Sequence, residues 1–254
     1  MTGREAEAAT SLFAWYEAMG VDEAIGDKPV DRFAAAPPKK DKAPQAPRPR
    51  PASSAPAGPA PQNLDAVTTL GELEALVGQF EGCALKRTAK TTCFYRGSTE
   101  ARIMLIGEAP GRDEDLQGKP FVGRAGKLLD RMLGSIGLDE SSVYITNTIY
   151  WRPPGNRTPT PLEIESCAPF LSRQIELLKP DIIVLLGGAA AKSVLNVTEG
   201  IMRLRGRWKI YKTDTRDIPT LATLHPAYLL RKPGEKRLAW RDMLMLKERL
   251  ESFT

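Results

Sequence analysis

Three segments of this sequence place a polar side chain directly after a short apolar run. Glu108, Asn147 and His225 each follow a run rich in Val, Ile, Leu or Thr. If these runs are parallel strands, their carboxyl ends meet at one edge of a sheet, where open α/β folds bind ligands. A carboxylate, a carboxamide and an imidazole there would suit recognition of a small polar heterocycle. Each residue also has an ordinary interpretation: a helix cap, a turn former and a structural histidine, respectively.

The loop after the first apolar run is rich in glycine and in acid. Gly107, Gly111, Gly118 and Gly123 would let a ligand approach the backbone closely, whereas the acidic residues 113–115 oppose phosphate binding. The sequence contains neither the Gly-Lys-Ser/Thr ending of a P-loop nor a Gly-x-Gly-x-x-Gly motif. We therefore expect a pocket in which a carboxylate lies beside an aromatic ring, that of Phe121.

The elements that must position these residues alternate along the chain. Short Val-, Ile- and Leu-rich runs predict strands, and longer amphipathic stretches predict helices. The predicted strands are 103–106, 143–146, 182–186, 208–211 and 220–224, and the predicted helices are 69–80, 126–136, 161–178, 188–195 and 238–253. This alternation predicts an α/β fold, a three-layer α/β/α sandwich around a central, mostly parallel sheet.

Composition divides the chain into three parts. Nine of its 21 prolines lie between Pro37 and Pro61, so residues 34–62 are interpreted as an Ala/Pro-rich disordered linker. Residues 1–33 form a predicted N-terminal helical segment, which either docks on the following domain or binds a partner. Residues 63–254 are the predicted catalytic domain. No signal peptide or membrane span is predicted, and we expect a cytoplasmic protein.

The net charge of +5 arises after residue 62, because the preceding residues carry equal numbers of acidic and basic side chains. A modest positive charge is compatible with a polyanionic partner without demonstrating one. Basic residues cluster in two places, and each cluster alone is interpreted as a solvated basic face. The clusters are Arg203, Arg205, Arg207 and Lys209, and Arg231, Lys232, Lys236 and Arg237.

Five separated motifs resemble, in order and spacing, those of the family 4 uracil-DNA glycosylases. They are GEAPG at 107–111, GKPFVG at 118–123, YITN at 144–147, RPPGNR at 152–157 and HPAYLLR at 225–231. The resemblance runs from about Cys83 to the last helix. It implies the α/β/α fold of the uracil-DNA glycosylase superfamily and hydrolysis of the N-glycosidic bond of deoxyuridine in DNA. This is the base excision repair reaction that leaves an abasic site.

The resemblance also implies roles for individual residues. A uracil rotated out of DNA would stack on Phe121, and Asn147 would read its O4 and N3–H. His225 would donate to the developing anion near O2, and Glu108, or as second choice Glu114, would position the water. Glu114 could instead help to exclude the 5-methyl group of thymine. Gly107, Ala109 and Gly111 would complete the base pocket. DNA contacts are expected from Arg152, Asn156, Arg157 and Arg231, with either Leu229 or Leu230 filling the gap left by the base, unless both simply pack within the protein.

The partner implied is uracil-containing DNA, single- or double-stranded. The protein is expected to be a monomer and not to bind a membrane. One alternative of a different class is a non-catalytic or product-retaining binder of uracil or abasic DNA. The presence of the basic stretches would favour that alternative, and so would the absence of two iron–sulfur ligands, which is described below. The joint presence of Glu108, Phe121, Asn147 and His225 favours the enzyme, which is expected to be a monofunctional glycosylase.

The sequence departs from the family at the iron–sulfur cluster. Typical members carry four cysteine ligands, and the matching positions here are Phe80, Cys83, Trp151 and Cys167. Two thiolates cannot hold a cubane cluster that needs four, and Cys93 lies off the pattern. We therefore expect no cofactor and no metal. Phe80 and Trp151 are expected to fill the volume by apolar packing, and the three cysteines to remain reduced thiols.

Overall fold

The computed structural model describes residues 64–252, so the predicted N-terminal segment and linker lie outside the described residues. The centre of the fold is a six-stranded sheet with the order β1-β3-β2-β4-β6-β5. Its strands are β1 (Arg96–Gly97), β2 (Ile103–Gly107), β3 (Val143–Asn147), β4 (Ile182–Leu186), β5 (Trp208–Lys212) and β6 (Asp217–Thr223).

Strands β2, β3, β4 and β6 are parallel, and the edge strands β1 and β5 are antiparallel to their neighbours. The inner strands are buried on both faces, which explains their continuous apolar sequence. Gly107 pairs with Asn147, and Leu186 pairs with Thr223. Since these pairs lie at the ends of their strands, the carboxyl ends of all four parallel strands share one edge.

Eight α-helices surround the sheet within residues 64–252. They are α1 (Leu70–Gln79), α2 (Arg112–Gln117), α3 (Arg124–Gly134), α4 (Pro161–Leu178), α5 (Gly188–Leu195), α6 (Ile201–Leu204), α7 (Pro226–Arg231) and α8 (Lys236–Glu251). The longest, α4, begins where Thr160 and Glu163 form a capping box around Pro161 at the first helical position.

The two faces of the sheet are covered by different helices. Ile103 and Leu105 of β2 face a core cluster that contains residues of α3 and α8, among them Leu129 and Leu246. Met104, the residue between them, faces a second cluster with residues of α4, α5 and α6. Alternate residues of one strand therefore enter cores on opposite sides, as the pleat requires. The predicted α/β/α sandwich with a mostly parallel sheet is confirmed.

The structure adds elements that are too short to show a clear periodicity. Helices α2, α6 and α7 and strand β1 contain two to six residues each and were not predicted. Helix α3 begins two residues earlier than predicted, directly after Gly123, and α8 is also shifted by two residues. In the described range 64–252, no helix is both long and apolar enough to cross a membrane.

Candidate active site

A cavity of about 440 Å³ opens at the carboxyl ends of β2, β3 and β6. Ten of the fourteen predicted site residues line it, namely Glu108, Ala109, Gly111, Glu114, Phe121, Asn147, Asn156, Arg157, His225 and Arg231. Gly107 lies directly behind the lining. The three polar residues that the strand pattern singled out are therefore brought together in one pocket.

Phe121 forms one wall of this pocket in an uncommon backbone conformation. Its φ is +56°, in the left-handed region, and its side chain is 5% exposed. Gly126 permits this conformation, because a Cβ at Gly126 would overlap the backbone carbonyl of Phe121. The ring lies 5.5 Å from the imidazole of His225, centroid to centroid, with 32° between the planes. Strain of this kind is tolerated where the surroundings fix the residue, and here the strained residue lines the cavity.

Asn147 presents a buried carboxamide with nothing to bond. The side chain is 1% exposed, and neither Nδ2 nor Oδ1 has a hydrogen-bond partner among the described residues. On the neighbouring strand, a Cβ at Gly107 would overlap Asn147 Oδ1 and lie 2.6 Å from two carbons of the Phe121 ring. Gly107 therefore leaves room for both side chains. Buried amides are almost always bonded, so the donor and the acceptor of Asn147 are available to a ligand or to water.

His225 offers one proton donor to the cavity. It is the N-cap residue of α7, and its Nδ1 accepts a hydrogen bond from the backbone N–H of Ala227 at 3.1 Å. An accepting Nδ1 carries no proton, which assigns the proton of the neutral ring to Nε2. Burial, and secondly the positive charge of Arg231, lower the pKa of His225 to about 4. The ring is therefore neutral at neutral pH, with Nε2–H available.

The two acidic residues of the pocket have different surroundings. Glu108 is half-buried, its carboxylate has no bonded partner within the described part of the chain, and burial raises its pKa. Glu114 accepts from the backbone N–H of Gly111 at 3.1 Å and from that of Gly123 at 2.9 Å. Both oxygens of Glu114 are thus engaged in tying the two ends of the glycine-rich loop together, whereas Glu108 is available for a ligand or water.

Predicted DNA-contacting residues differ in how far they are already engaged. Arg152 Nε donates to Asn156 Oδ1 at 2.7 Å, and Arg157 makes a bidentate pair with Glu163 at 2.6 and 2.9 Å. Arg231 is exposed at the pocket and makes no ion pair with any described residue.

The two candidate wedge residues of α7 are not equivalent. Leu229 is 1% exposed and packs with Leu128, Leu224 and Ala239, so it serves the alternative role of ordinary packing. Leu230 is half-buried. Burial therefore leaves Leu230 as the candidate, and its insertion into DNA stays a prediction.

Six lining residues were not predicted as site residues. They are Pro110, Ala125, Pro153, Thr158, Ala227 and Tyr228. Most lie within or next to the motifs at 107–111, 152–157 and 225–231, so proximity to those motifs was the available signal. The signal was weak because four of the six, the prolines and alanines, bear no polar side-chain group.

The four positions that carry iron–sulfur ligands in typical family members lie in an apolar region beside the pocket. We call Phe80, Cys83, Trp151, Cys167 and Phe170 the aromatic core; all five are buried. The Phe80 ring centroid lies 6.4 Å from that of Trp151 and 4.9 Å from that of Phe170. An interaction with the Cys83 thiol, together with burial, raises the pKa of Cys167.

These residues do not fit a four-thiolate iron–sulfur cluster. Two of the four positions carry aromatic rings that cannot ligate iron, and the chain has three cysteines in all. The third, Cys93, donates its thiol proton to the backbone oxygen of Glu114 at 3.2 Å, and burial raises its pKa to about 12. Within residues 64–252, no group of three or more His, Cys, Asp or Glu side chains is arranged to hold a metal ion.

Comparison with known proteins agrees with this fold. The sequence profile of the uracil DNA glycosylase superfamily matches residues 94–245. The chain belongs to this superfamily and, within it, to the type-4 family. The family resemblance inferred from the motifs is thereby confirmed.

Three curated relatives illustrate the similarity, and each is named a type-4 uracil-DNA glycosylase. The protein of Archaeoglobus fulgidus is 45% identical over 59% of this chain and 78% of its own length. That of Saccharolobus solfataricus is 40% identical over 69% and 84%, respectively. That of Thermotoga maritima is 38% identical over 67% and 87%.

Proposed function

We propose that this chain is a monofunctional uracil-DNA glycosylase, which hydrolyses the N-glycosidic bond of deoxyuridine in DNA and leaves an abasic site. The observation that carries this proposal is the unpartnered, buried carboxamide of Asn147 in the pocket. A uracil rotated out of the DNA stack presents the O4 acceptor beside the N3–H donor, which satisfies both atoms of the carboxamide. Cytosine presents the reverse pattern, a donor at N4 and an acceptor at N3.

The everted base lies against Phe121 and beside His225. Bond breaking leaves negative charge on the departing uracil, and the Nε2–H of the neutral imidazole stabilises that charge at O2. A neutral donor suits this step because the pKa of His225, about 4, keeps the ring from taking up a proton at neutral pH. The hydrogen bond from Ala227 to Nδ1 supports this assignment, because it fixes which nitrogen donates.

Glu108 acts on the water. The bond between C1′ and N1 breaks with its electron pair going to uracil, and the water oxygen bonds to C1′ of the sugar. The proton that water loses passes to the Glu108 carboxylate and from there to solvent. The lack of a bonded partner for Glu108 supports this role. Glu114, the second candidate, holds two backbone N–H groups, which supports a part in shaping the loop rather than in moving the water.

DNA is held at the mouth of the pocket. Arg231 pairs with a phosphate, and Arg152, Asn156 and Arg157 flank the strand, with Leu230 filling the gap left by the base. Arg157 must share or exchange its partner Glu163 to reach a phosphate. The proposal also includes a monomeric enzyme that acts on single- and double-stranded substrates. Its catalytic domain spans residues 63–254, and its location is cytoplasmic.

The proposal includes an enzyme without a four-cysteine cluster. The ring contacts of Phe80 and Trp151 support apolar packing at the two positions that lack a thiol. Iron and acid-labile sulfide are measured on protein purified without exposure to air. We expect less than one iron per chain and unchanged activity after treatment with a chelator. Four irons per chain, lost together with activity, would contradict this part of the proposal.

The test of the main proposal uses an end-labelled oligonucleotide with a single uracil, treated with alkali after incubation. We expect cleavage at uracil but not in matched oligonucleotides with thymine or cytosine. Glu108→Ala and His225→Ala should each reduce the rate by at least about 100-fold. Glu100→Ala, at an exposed carboxylate away from the pocket, is the matched control and should leave the rate unchanged.

The same oligonucleotides separate the enzyme from the alternative. Fluorescence anisotropy measures binding independently of cleavage. Tight, uracil-dependent binding without release of the base by the wild-type chain would contradict the glycosylase and favour the binder of uracil or abasic DNA.

A further inference from the structure

A buried ion pair outside the pocket lies against the strand that leads to His225. Asp242 of α8 is fully buried, and Arg205 donates to it from Nε at 3.1 Å and from Nη2 at 2.5 Å. Nη2 also donates to the backbone oxygen of Leu238 at 2.8 Å. The sequence-based interpretation of a solvated basic face is therefore wrong for Arg205. Because desolvation offsets much of the attraction within a buried ion pair, such a pair adds little net stability to the fold.

The second partner of Asp242 is Thr223, the last residue of β6. Thr223 Oγ1 donates to Asp242 Oδ2 at 2.7 Å, and the Thr223 backbone oxygen accepts from the N–H of Gly187 at 2.8 Å. Gly187 lies against the histidine, because a Cβ there would be 2.9 Å from the Cβ of His225. Hydrogen bonds thus run from Asp242 to the strand end and to the turn against which His225 packs.

We propose that Asp242 and Thr223 are positioning residues that hold His225 in its productive orientation, an inference that rests on the proposed glycosylase activity. Neither residue lines the pocket, so both act through the strand end. Burial raises the pKa of Asp242, and the hydrogen bonds from Thr223 and Arg205 oppose that rise by favouring the carboxylate. Hydrogen bonds to a carboxylate are stronger than neutral ones, which suits a fixed anchor. A displacement of about 1 Å at a reacting group can cost about 100-fold in rate, so a firm anchor is valuable there.

Two threonines of the same strand give a matched test. Thr223→Val keeps the shape of the side chain and removes the hydroxyl that reaches Asp242. Thr220→Val is the control, because Thr220 is also fully buried but donates to the backbone oxygen of Ile218 at 3.0 Å. We expect Thr223→Val to lower kcat on uracil-containing DNA about tenfold with KM within about twofold. Thr223→Ser should restore most of kcat, and Thr220→Val should keep it.

A second readout uses the fact that His225 is the only histidine of the chain. In protein labelled with nitrogen-15 at histidine, the ring signals report the tautomer and titration of this residue alone. Thr223→Val should raise the pKa of His225 from about 4 towards its ordinary 6.5, because a loosened ring becomes more hydrated. Thr220→Val should leave the titration unchanged.

The outcomes are separable. Wild-type kcat and an unchanged His225 titration in Thr223→Val would overturn the proposal, and so would equal loss of kcat in both valine variants. If Thr223→Val fails to fold, Asp242→Asn provides the same comparison and should lower kcat by a similar factor. If the wild-type chain releases no uracil, the proposed function fails, whereas the titration still tests whether Thr223 orients His225.

Discussion

The pocket and the neighbouring aromatic core treat buried polar groups in opposite ways. In and around the core, Trp151 Nε1 donates to Thr92 Oγ1 at 3.1 Å, and the Tyr150 hydroxyl donates to Gln174 Oε1 at 3.1 Å. In the pocket, by contrast, neither polar atom of Asn147 has a partner in the described part of the chain. A buried polar group left unpaired costs about 1–3 kcal/mol. The paired groups of the core thus stabilise the fold, whereas the unpaired carboxamide of the pocket lowers its stability.

Backbone conformation follows the same division. Phe121, in the pocket, has a φ of +56°, and none of the five residues of the aromatic core has a positive φ. A side chain in the left-handed region costs of order 1–3 kcal/mol unless its surroundings compensate. The left-handed backbone of Phe121 and the unpaired carboxamide of Asn147 therefore both lie at the carboxyl edge of the sheet. Substitutions in the two regions should change different quantities.

The largest effect is expected from truncation of Trp151 in the aromatic core. Trp151→Ala removes a 1% exposed indole and should lower the free energy of unfolding by about 3–5 kcal/mol. Trp240→Ala is the control, because Trp240 is 43% exposed, and it should cost less than about 1 kcal/mol. Denaturant titration measures both. Below its unfolding transition, Trp151→Ala should keep kcat within about tenfold; equal stability of the two variants would contradict the assigned role of the core.

Two buried carboxamides sharpen the comparison. Gln174, fully buried, donates to the Tyr144 hydroxyl at 2.6 Å and accepts from Tyr150. Gln174→Leu leaves those hydroxyls unpaired and should destabilise by about 1–3 kcal/mol with little change in kcat/KM. Asn147→Leu removes an amide that has no partner to lose. It should leave stability unchanged or about 1 kcal/mol higher, while kcat/KM for uracil-containing DNA falls at least about 100-fold, or roughly 3 kcal/mol.

Thermal unfolding and single-turnover uracil release measure these two quantities on the same samples. A clear loss of stability in Asn147→Leu would mean that the carboxamide is paired in the free protein. That result would remove the observation on which the proposed function depends.

The convergence of Glu108, Asn147 and His225 could be predicted from the sequence because it depends only on the order and direction of the strands. Each follows an apolar run, and parallel strands bring such positions to one edge. The pattern could not specify the details that depend on three-dimensional neighbours. The bond from Ala227 to Nδ1 of His225 arises from the first turn of α7, a helix of six residues without recognisable periodicity.

Long-range pairing explains other residues whose environment was not predicted. Arg205 belongs to a run of alternating basic residues, which favours a solvated face, yet its partner Asp242 lies 37 positions further along the chain. Glu114 was predicted from the family resemblance, as second choice, to position the water. Its contact with Gly123, nine residues away, depends on how the loop closes and could not be inferred from composition.

The pH dependence of activity should give the smallest effect, about tenfold per pH unit on the acid side. Burial raises the pKa of Glu108 above its ordinary 4.5, whereas the pKa of His225 is lowered to about 4. As pH falls, Glu108 therefore gains a proton first, and the water loses its base before the imidazole becomes charged. The acid limb of kcat should have its midpoint above 4.5.

Glu108→Gln separates the two titrations, because its neutral amide cannot gain the proton. We expect a low kcat that stays constant down to about pH 4, where His225 becomes charged. Stability also depends on pH. Below about pH 6.5 the histidine of the unfolded chain takes up a proton, whereas His225 in the native protein stays neutral until about pH 4. The free energy of unfolding therefore decreases as the pH falls from about 6.5 to about 4. Gln174→Leu, beside the aromatic core, should keep the wild-type acid limb. An acid limb that survives unchanged in Glu108→Gln would show that a group other than Glu108 activates the water.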